Sequence, residues 1–140
     1  MGKKSIVIDR PAHAVFARLT DFKRAKEWAP QLGTFKMEAP LREGLEIREE
    51  RRMLGRKMHA AWTVTRFEPD RAMGLRLRFG PIRGDFEYVL EPAGAATKLT
   101  QSTDVRLAGP LAIFTPLLAA EAQKEEDAEL PRLKEIIERE

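Results

Sequence analysis

The chain has 140 residues, 43% hydrophobic and 34% charged, with 25 lysines and arginines against 22 aspartates and glutamates. That describes one domain able to bury its own core without a metal or disulfide staple, and a formal charge of +3 sets up no strong field for nucleic acid. Without cysteine there are no disulfides, zinc thiolates, iron–sulfur clusters or thiol nucleophiles, and His13 and His59 are too few for a multi-histidine metal site, so no cofactor is expected.

The opening MGKKSIVIDRP holds only Ile6, Val7 and Ile8 as an apolar run. This is too short for a signal peptide or a membrane span, so the expected compartment is the cytoplasm, with no stable membrane insertion. Alternation around Ile6 and Ile8 predicts a strand over Ser5 to Asp9, and Pro11 then suits a first helical turn. Val15, Phe16 and Leu19 supply the apolar stripe of that helix. Asp21 can cap a second short helix carrying Phe22, Ala25 and Trp28, which stops before Pro30.

An antiparallel meander follows. Its predicted strands are Thr34 to Glu38, Leu45 to Leu54, Met58 to Phe67, Met73 to Phe79, Phe86 to Leu90 and Leu99 to Leu107. Gly55 with Arg56, Pro69 with Asp70, the group Gly80, Pro81 and Gly84, and Pro92 to Gly94 mark the reversals. Alternation gathers one dry face: Met58, Ala60, Trp62 and Val64; Leu75, Leu77 and Phe79; Phe86, Tyr88 and Leu90; Leu99, Gln101, Thr103 and Val105. The other face is charged and wet. A long helix is predicted over Leu111 to Leu130, about 30 Å at 1.5 Å per residue, with Pro131 expected to kink or break it before a last cluster of Leu133, Ile136 and Ile137. The class is α+β, and only this terminal helix is long enough to cover the dry face.

Several strings in this order resemble a known superfamily. SIVIDRPAHAVFARLTDFKRAKEWAPQL, TRFEPDRAMGLR, FEYVLEPAGAATKLTQSTDV and LPRLKEIIERE are similar to the START-like (SRPBCC) superfamily, in its polyketide cyclase/dehydrase branch. The resemblance implies a single helix-grip domain over residues 1–140, a curved antiparallel sheet wrapped around a long C-terminal helix, with two short helices near the N-terminus. It also implies a cavity for a small hydrophobic or amphipathic molecule. Some members are cyclases, dehydratases or hydrolases and others carry or sense ligands, so no catalytic motif transfers and fold does not settle function.

Two groups of residues carry candidate chemistry. On the terminal helix, Phe114, Leu118, Glu121 and Glu125 fall within about 60° of arc at 100° per residue. Between Leu118 and Leu130 the apolar side chains are all alanine, so this stretch leaves space under the sheet. In the alternative phase the buried ridge runs Phe114, Leu118, Ala122, Glu126 and Leu130, leaving Glu121 and Glu125 wet. In the strand from Leu45, the residues Leu45, Ile47, Glu49, Arg51 and Met53 share a face. Glu49 and Arg51 then either point inward, where they must pair or meet a polar ligand, or turn to water at an edge or bulge.

Ligand-lining candidates are Trp62, Phe79, Tyr88, Thr103, Phe114 and Leu118, with Glu49, Arg51, Glu121 and Glu125 as polar anchors. Trp28 is expected to pack the second helix under the sheet rim, where the resemblance also places an entrance. His59 falls on the polar face and His13 on a surface helix, neither with a catalytic partner. The basic run REERRMLGRK is interrupted by glutamates and lacks interleaved aromatics, so it is not a nucleic-acid site. The expected function is binding of a small hydrophobic or amphipathic ligand as a carrier or sensor. A cyclase or dehydratase is the alternative, with an inward Glu (Glu49, Glu121 or Glu125) as general base and Tyr88 or Arg51 steadying an enolate oxygen. A protein-interaction module is the third reading.

Overall fold

Strand β1 (Gly2–Ile8) lies at one edge of the sheet and the short β2 (Thr34–Lys36) at the other, so the chain between them must cross under the sheet. It does so as helix α1 (Ala12–Leu19) and a 3-10 helix (Phe22–Glu27), which turn Val15, Phe16, Leu19, Ala25 and Trp28 inward. These coordinates are a computed structural model that describes residues 2–140, and of Met53 the backbone only. The remaining strands, β3 (Glu46–Met53), β4 (Arg56–Glu68), β5 (Ala72–Phe79), β6 (Ile82–Ala93) and β7 (Ala96–Leu107), form the meander expected from alternation. The sheet order is β1-β7-β6-β5-β4-β3-β2, antiparallel throughout. Helix α2 (Thr115–Arg139) lies across the dry face of this curved sheet and packs on β1 and β7.

The register of β4 against β5 shifts between Val64 and Arg66, a bulge that bends the strand. Gly74 sits opposite, where a Cβ would lie 2.6 Å from the Thr65 hydroxyl. The predicted dry face is buried from Ala60 to Val105 except for Phe86, which is half-buried, and before Ala60 it opens to solvent. Met58 is exposed because it pairs with Arg51 in the part of the β3–β4 hairpin that overhangs β5.

Four local expectations are corrected. Gly84 is not a reversal: the turn falls at Gly80, with φ of +56°, and β6 starts at Ile82. Inside β6, Gly84 makes room for Phe86, whose ring would lie 2.7 Å from a Cβ there. Asp21 precedes the second helix without capping it, and that helix is 3-10, not α. The long helix begins at Thr115, because Gly109–Phe114 forms a 3-10 turn. It then runs unbroken through Pro131. Pro131 and Asp127, whose carbonyl loses its partner, are both exposed, so water can serve that carbonyl. The proline penalty of about 3 kcal/mol is outweighed downstream by Leu133 and Ile137, since fully burying such side chains contributes about 1.5–3 kcal/mol each.

Candidate functional site

The dry face, α2 and the N-terminal helices enclose a cavity of about 260 Å3. β4, β5 and β6 contribute Trp62, Leu75, Leu77, Phe79, Phe86 and Tyr88; the segment before β2 and β2 itself contribute Phe22, Trp28, Leu32 and Phe35. Opposite them α2 presents Leu118 and Ala122 and then only carboxylates: Glu121, Glu125, Glu126 and Glu129. The space exists because this part of α2 has no bulky apolar side chain to fill it. The result is an apolar chamber with one acidic wall.

The inward reading of β3 holds. Glu49 has zero solvent exposure, and β2 covers it through the Phe35 pairing, so it is neither at an edge nor on a bulge. Its Oε1 accepts from Trp62 Nε1 at 2.7 Å; its Oε2 accepts from Arg51 Nε at 2.6 Å and from the Gly33 amide at 2.5 Å. Three donors leave Glu49 engaged as a strut behind the wall, and it does not itself line the cavity. Gly33 allows this close approach, since a Cβ there would stand 1.9 Å from the Glu50 carbonyl oxygen. Arg51 lines the cavity, its guanidinium 4.9 Å above the Phe79 ring centre.

On the acidic wall, Glu126 and Glu129 are buried while Glu121 and Glu125 stand at the exposed rim. Gln31 Nε2 donates to Glu129 Oε1 at 2.8 Å. Burial, more than the neighbouring Glu125 and Glu126 charges, pushes the Glu129 carboxyl up to about 6. Glu125 is also raised by burial, held partly in check by the Arg51 charge. Burial keeps the Tyr88 phenol well above its usual range, with the Glu129 charge adding to the effect. The Tyr88 oxygen accepts from Gln101 Nε2 at 3.1 Å.

Of the residues singled out in the sequence, Trp62, Phe79, Tyr88, Leu118, Arg51, Glu121 and Glu125 meet around this one space. Thr103 does not: it faces a second pocket of about 270 Å3 between β1, β7 and the start of α2, shared with Gly2, Val105, Gln123 and Glu126. Phe114 lies outside both, half-exposed on the 3-10 turn, because α2 and its helical phase start one residue later. Trp28 is a wall residue as well as a packing one. His13 and His59 are exposed.

The alternative helix phase puts Glu126 on the buried ridge without giving it a role in the site, and Glu129 is not among the candidates, although a signal for both exists. Counting back four and seven places from Leu133 reaches Glu129 and Glu126, on the same helical face. A helix broken at Pro131 would separate the phase of the last apolar cluster from Glu129.

The chain matches the family described as "Polyketide cyclase / dehydrase and lipid transport" over residues 3–138. No curated protein matches its sequence. Among solved structures it is similar to a START superfamily protein from Mycobacterium smegmatis, with TM-score 0.78 and 16% identity, covering 99% of this chain and 97% of that one. It is also similar to a conserved protein from Geobacillus kaustophilus, with TM-score 0.76 and 16% identity, covering 98% and 94%. A third likeness is to the di-domain ARO/CYC BexL from the BE-7585A biosynthetic pathway, with TM-score 0.75 and 16% identity, covering 98% of this chain and 46% of that one. These likenesses establish the helix-grip fold. Among the described residues no helix is long and apolar enough to cross a membrane.

Proposed function

The chain belongs to the polyketide cyclase/dehydrase and lipid transport family, and from that premise we propose that it binds one small apolar or amphipathic molecule between the sheet and α2. The observation that carries this is the cavity of about 260 Å3, lined by aromatic and aliphatic side chains that pack on one another around it and leave its centre unfilled. Burial of apolar ligand surface drives binding at about 25 cal/mol per Å2 before ordering terms, and the acidic wall with Arg51 and Tyr88 orients the guest. In this reading the protein is a cytoplasmic carrier or sensor. Native mass spectrometry of gently purified protein, followed by denaturation, tests it. A stoichiometric small organic molecule is expected; protein that arrives empty and also fails to take up octanol overturns the reading.

A second reading is favoured by Glu129, a buried carboxyl beside the cavity that is raised to about 6. Such a group can move protons near neutral pH, and Tyr88, kept protonated by burial, can donate to a developing enolate oxygen, as a cyclase or dehydratase requires. Glu49 does not serve as the base, because its oxygens are engaged with three donors. Loss of turnover of the identified molecule in Glu129→Gln, with its binding retained, is the expected result; full turnover in that variant removes this reading.

A further inference from the structure

We infer that the guest of this cavity is an amphipathic organic cation: an apolar body carrying a protonated amine, with the amine set against Glu126 and Glu129. The inference rests on the cavity reading above and adds the chemical class of the ligand.

The charges lining the chamber are unequal. Among the described residues four glutamates of α2 face it, against a single cation, Arg51, whose Nε is already given to Glu49. Glu121 stands in water and pairs with Lys124, so solvent and that lysine screen it. Glu126 and Glu129 are different, with 5% and 7% of their surface exposed. Glu129 hydrogen-bonds only to a neutral amide, Gln31, and feels the Arg132 charge without an ion pair to it, while no ion pair reaches Glu126 among the described residues. A buried carboxylate without a directly paired cation is unfavourable, and an ammonium group placed between these two would supply one.

A second, independent observation also points to a guest. Trp28, 96% buried, forms part of the cavity lining, and its Nε1 has no acceptor. Buried polar groups are ordinarily satisfied, so an unspent donor on a lining residue calls for an acceptor; an ammonium only donates, so that acceptor belongs to the body of the guest and not to its amine. The aromatic faces of Trp28, Trp62 and Phe86 add π surface that attracts a cation as well as an apolar body. An anionic guest would bring its charge up to the four glutamates, and like-charge contacts cost several kcal/mol. Nor do the carboxylates form a metal cage: no group of three or more that could hold an ion exists among the described residues.

The test compares three probes of one length, octylamine, octanol and octanoate, binding to the full chain at pH 7.5 by calorimetry. Octylamine is expected to bind at least about tenfold more tightly than octanol, with octanoate weakest. In Glu126→Gln/Glu129→Gln the amine-to-octanol ratio should collapse to about one, and Ala122→Leu, which fills the chamber, should abolish binding of both. Octanoate binding as tightly as the amine overturns the cationic assignment, and this comparison needs no variant to fold. An amine preference that survives in either variant reports surface association and also overturns it. If octanol binds and the amine gains nothing, only the ligand class fails; if none of the probes binds, the cavity reading falls with it.

Discussion

The indole Nε1 of Trp62 donates to Glu49 Oε1 across 2.7 Å, which makes one side chain both wall of the cavity and anchor of the buried carboxylate behind it. Trp62 can therefore not be removed as a pure binding probe, because its loss also strips a partner from Glu49. The same carboxylate holds Arg51 over Phe79, so the aromatic wall and the single lining cation share one support.

Glu49→Leu should destabilise the fold by about 3–5 kcal/mol, since it strands the Arg51 charge and the Gly33 and Trp62 donors. Glu49→Leu/Arg51→Met should recover part of that loss, because removing both charges leaves no unpaired ion. Urea unfolding of both, together with the Arg51→Met single, measures this. A double variant as unstable as the sum of its singles would show that the pairing is not what holds the strand.

Ala122→Leu adds bulk where α2 is thinnest. Ala122 borders both pockets and touches no polar network. Octanol binding should fall at least tenfold while stability changes by less than about 1 kcal/mol, smaller than the effect of overpacking a filled core. Binding by calorimetry and thermal denaturation give the two readouts; a large loss of stability with binding intact would mean that the chamber closes in solution.

Glu129 makes stability fall as pH rises. Its carboxyl is raised from 4.5 to about 6 by burial, so the folded state holds the proton more tightly than the unfolded chain does. Its contribution is complete below about pH 4.5 and is lost as pH climbs through about 6, about 2 kcal/mol at most for a shift of this size. Glu129→Gln should therefore be more stable than the parent at pH 7.5, and the difference should shrink at pH 4.5. Urea unfolding at both pH values checks it; a difference that stays constant across that window removes the titration from the account.

Pro131→Ala should stabilise the protein by about 1–3 kcal/mol, because it restores the bond to the Asp127 carbonyl in a helix that already continues through this position. A rise in midpoint temperature is the expected result. A fall would mean that the proline's geometry sets the docking angle of Leu133 and Ile137.

Much of the architecture was legible in the chain itself. Alternation from Ala60 to Val105 put the right side chains on the dry face, because a strand's period of two leaves no intermediate choice. The alanines between Leu118 and Leu130 foretold the unfilled space, since small side chains cannot close the distance between helix and sheet. What the residues by themselves left open was where the charges fall. Alternation alone leaves Glu49 and Arg51 consistent with the core or with water; β2 covering β3 and Trp62 within bonding reach decide for the core. Glu126 already lay on one of the two candidate ridges of the helix, but Glu129 is a wall residue only because α2 continues through Pro131, which carries the phase of Leu133 back to it. The apolar pattern is a local property, written at each residue by its transfer from water. The burial of a charge depends on partners distant in the chain, and only the tertiary structure decides which partners arrive.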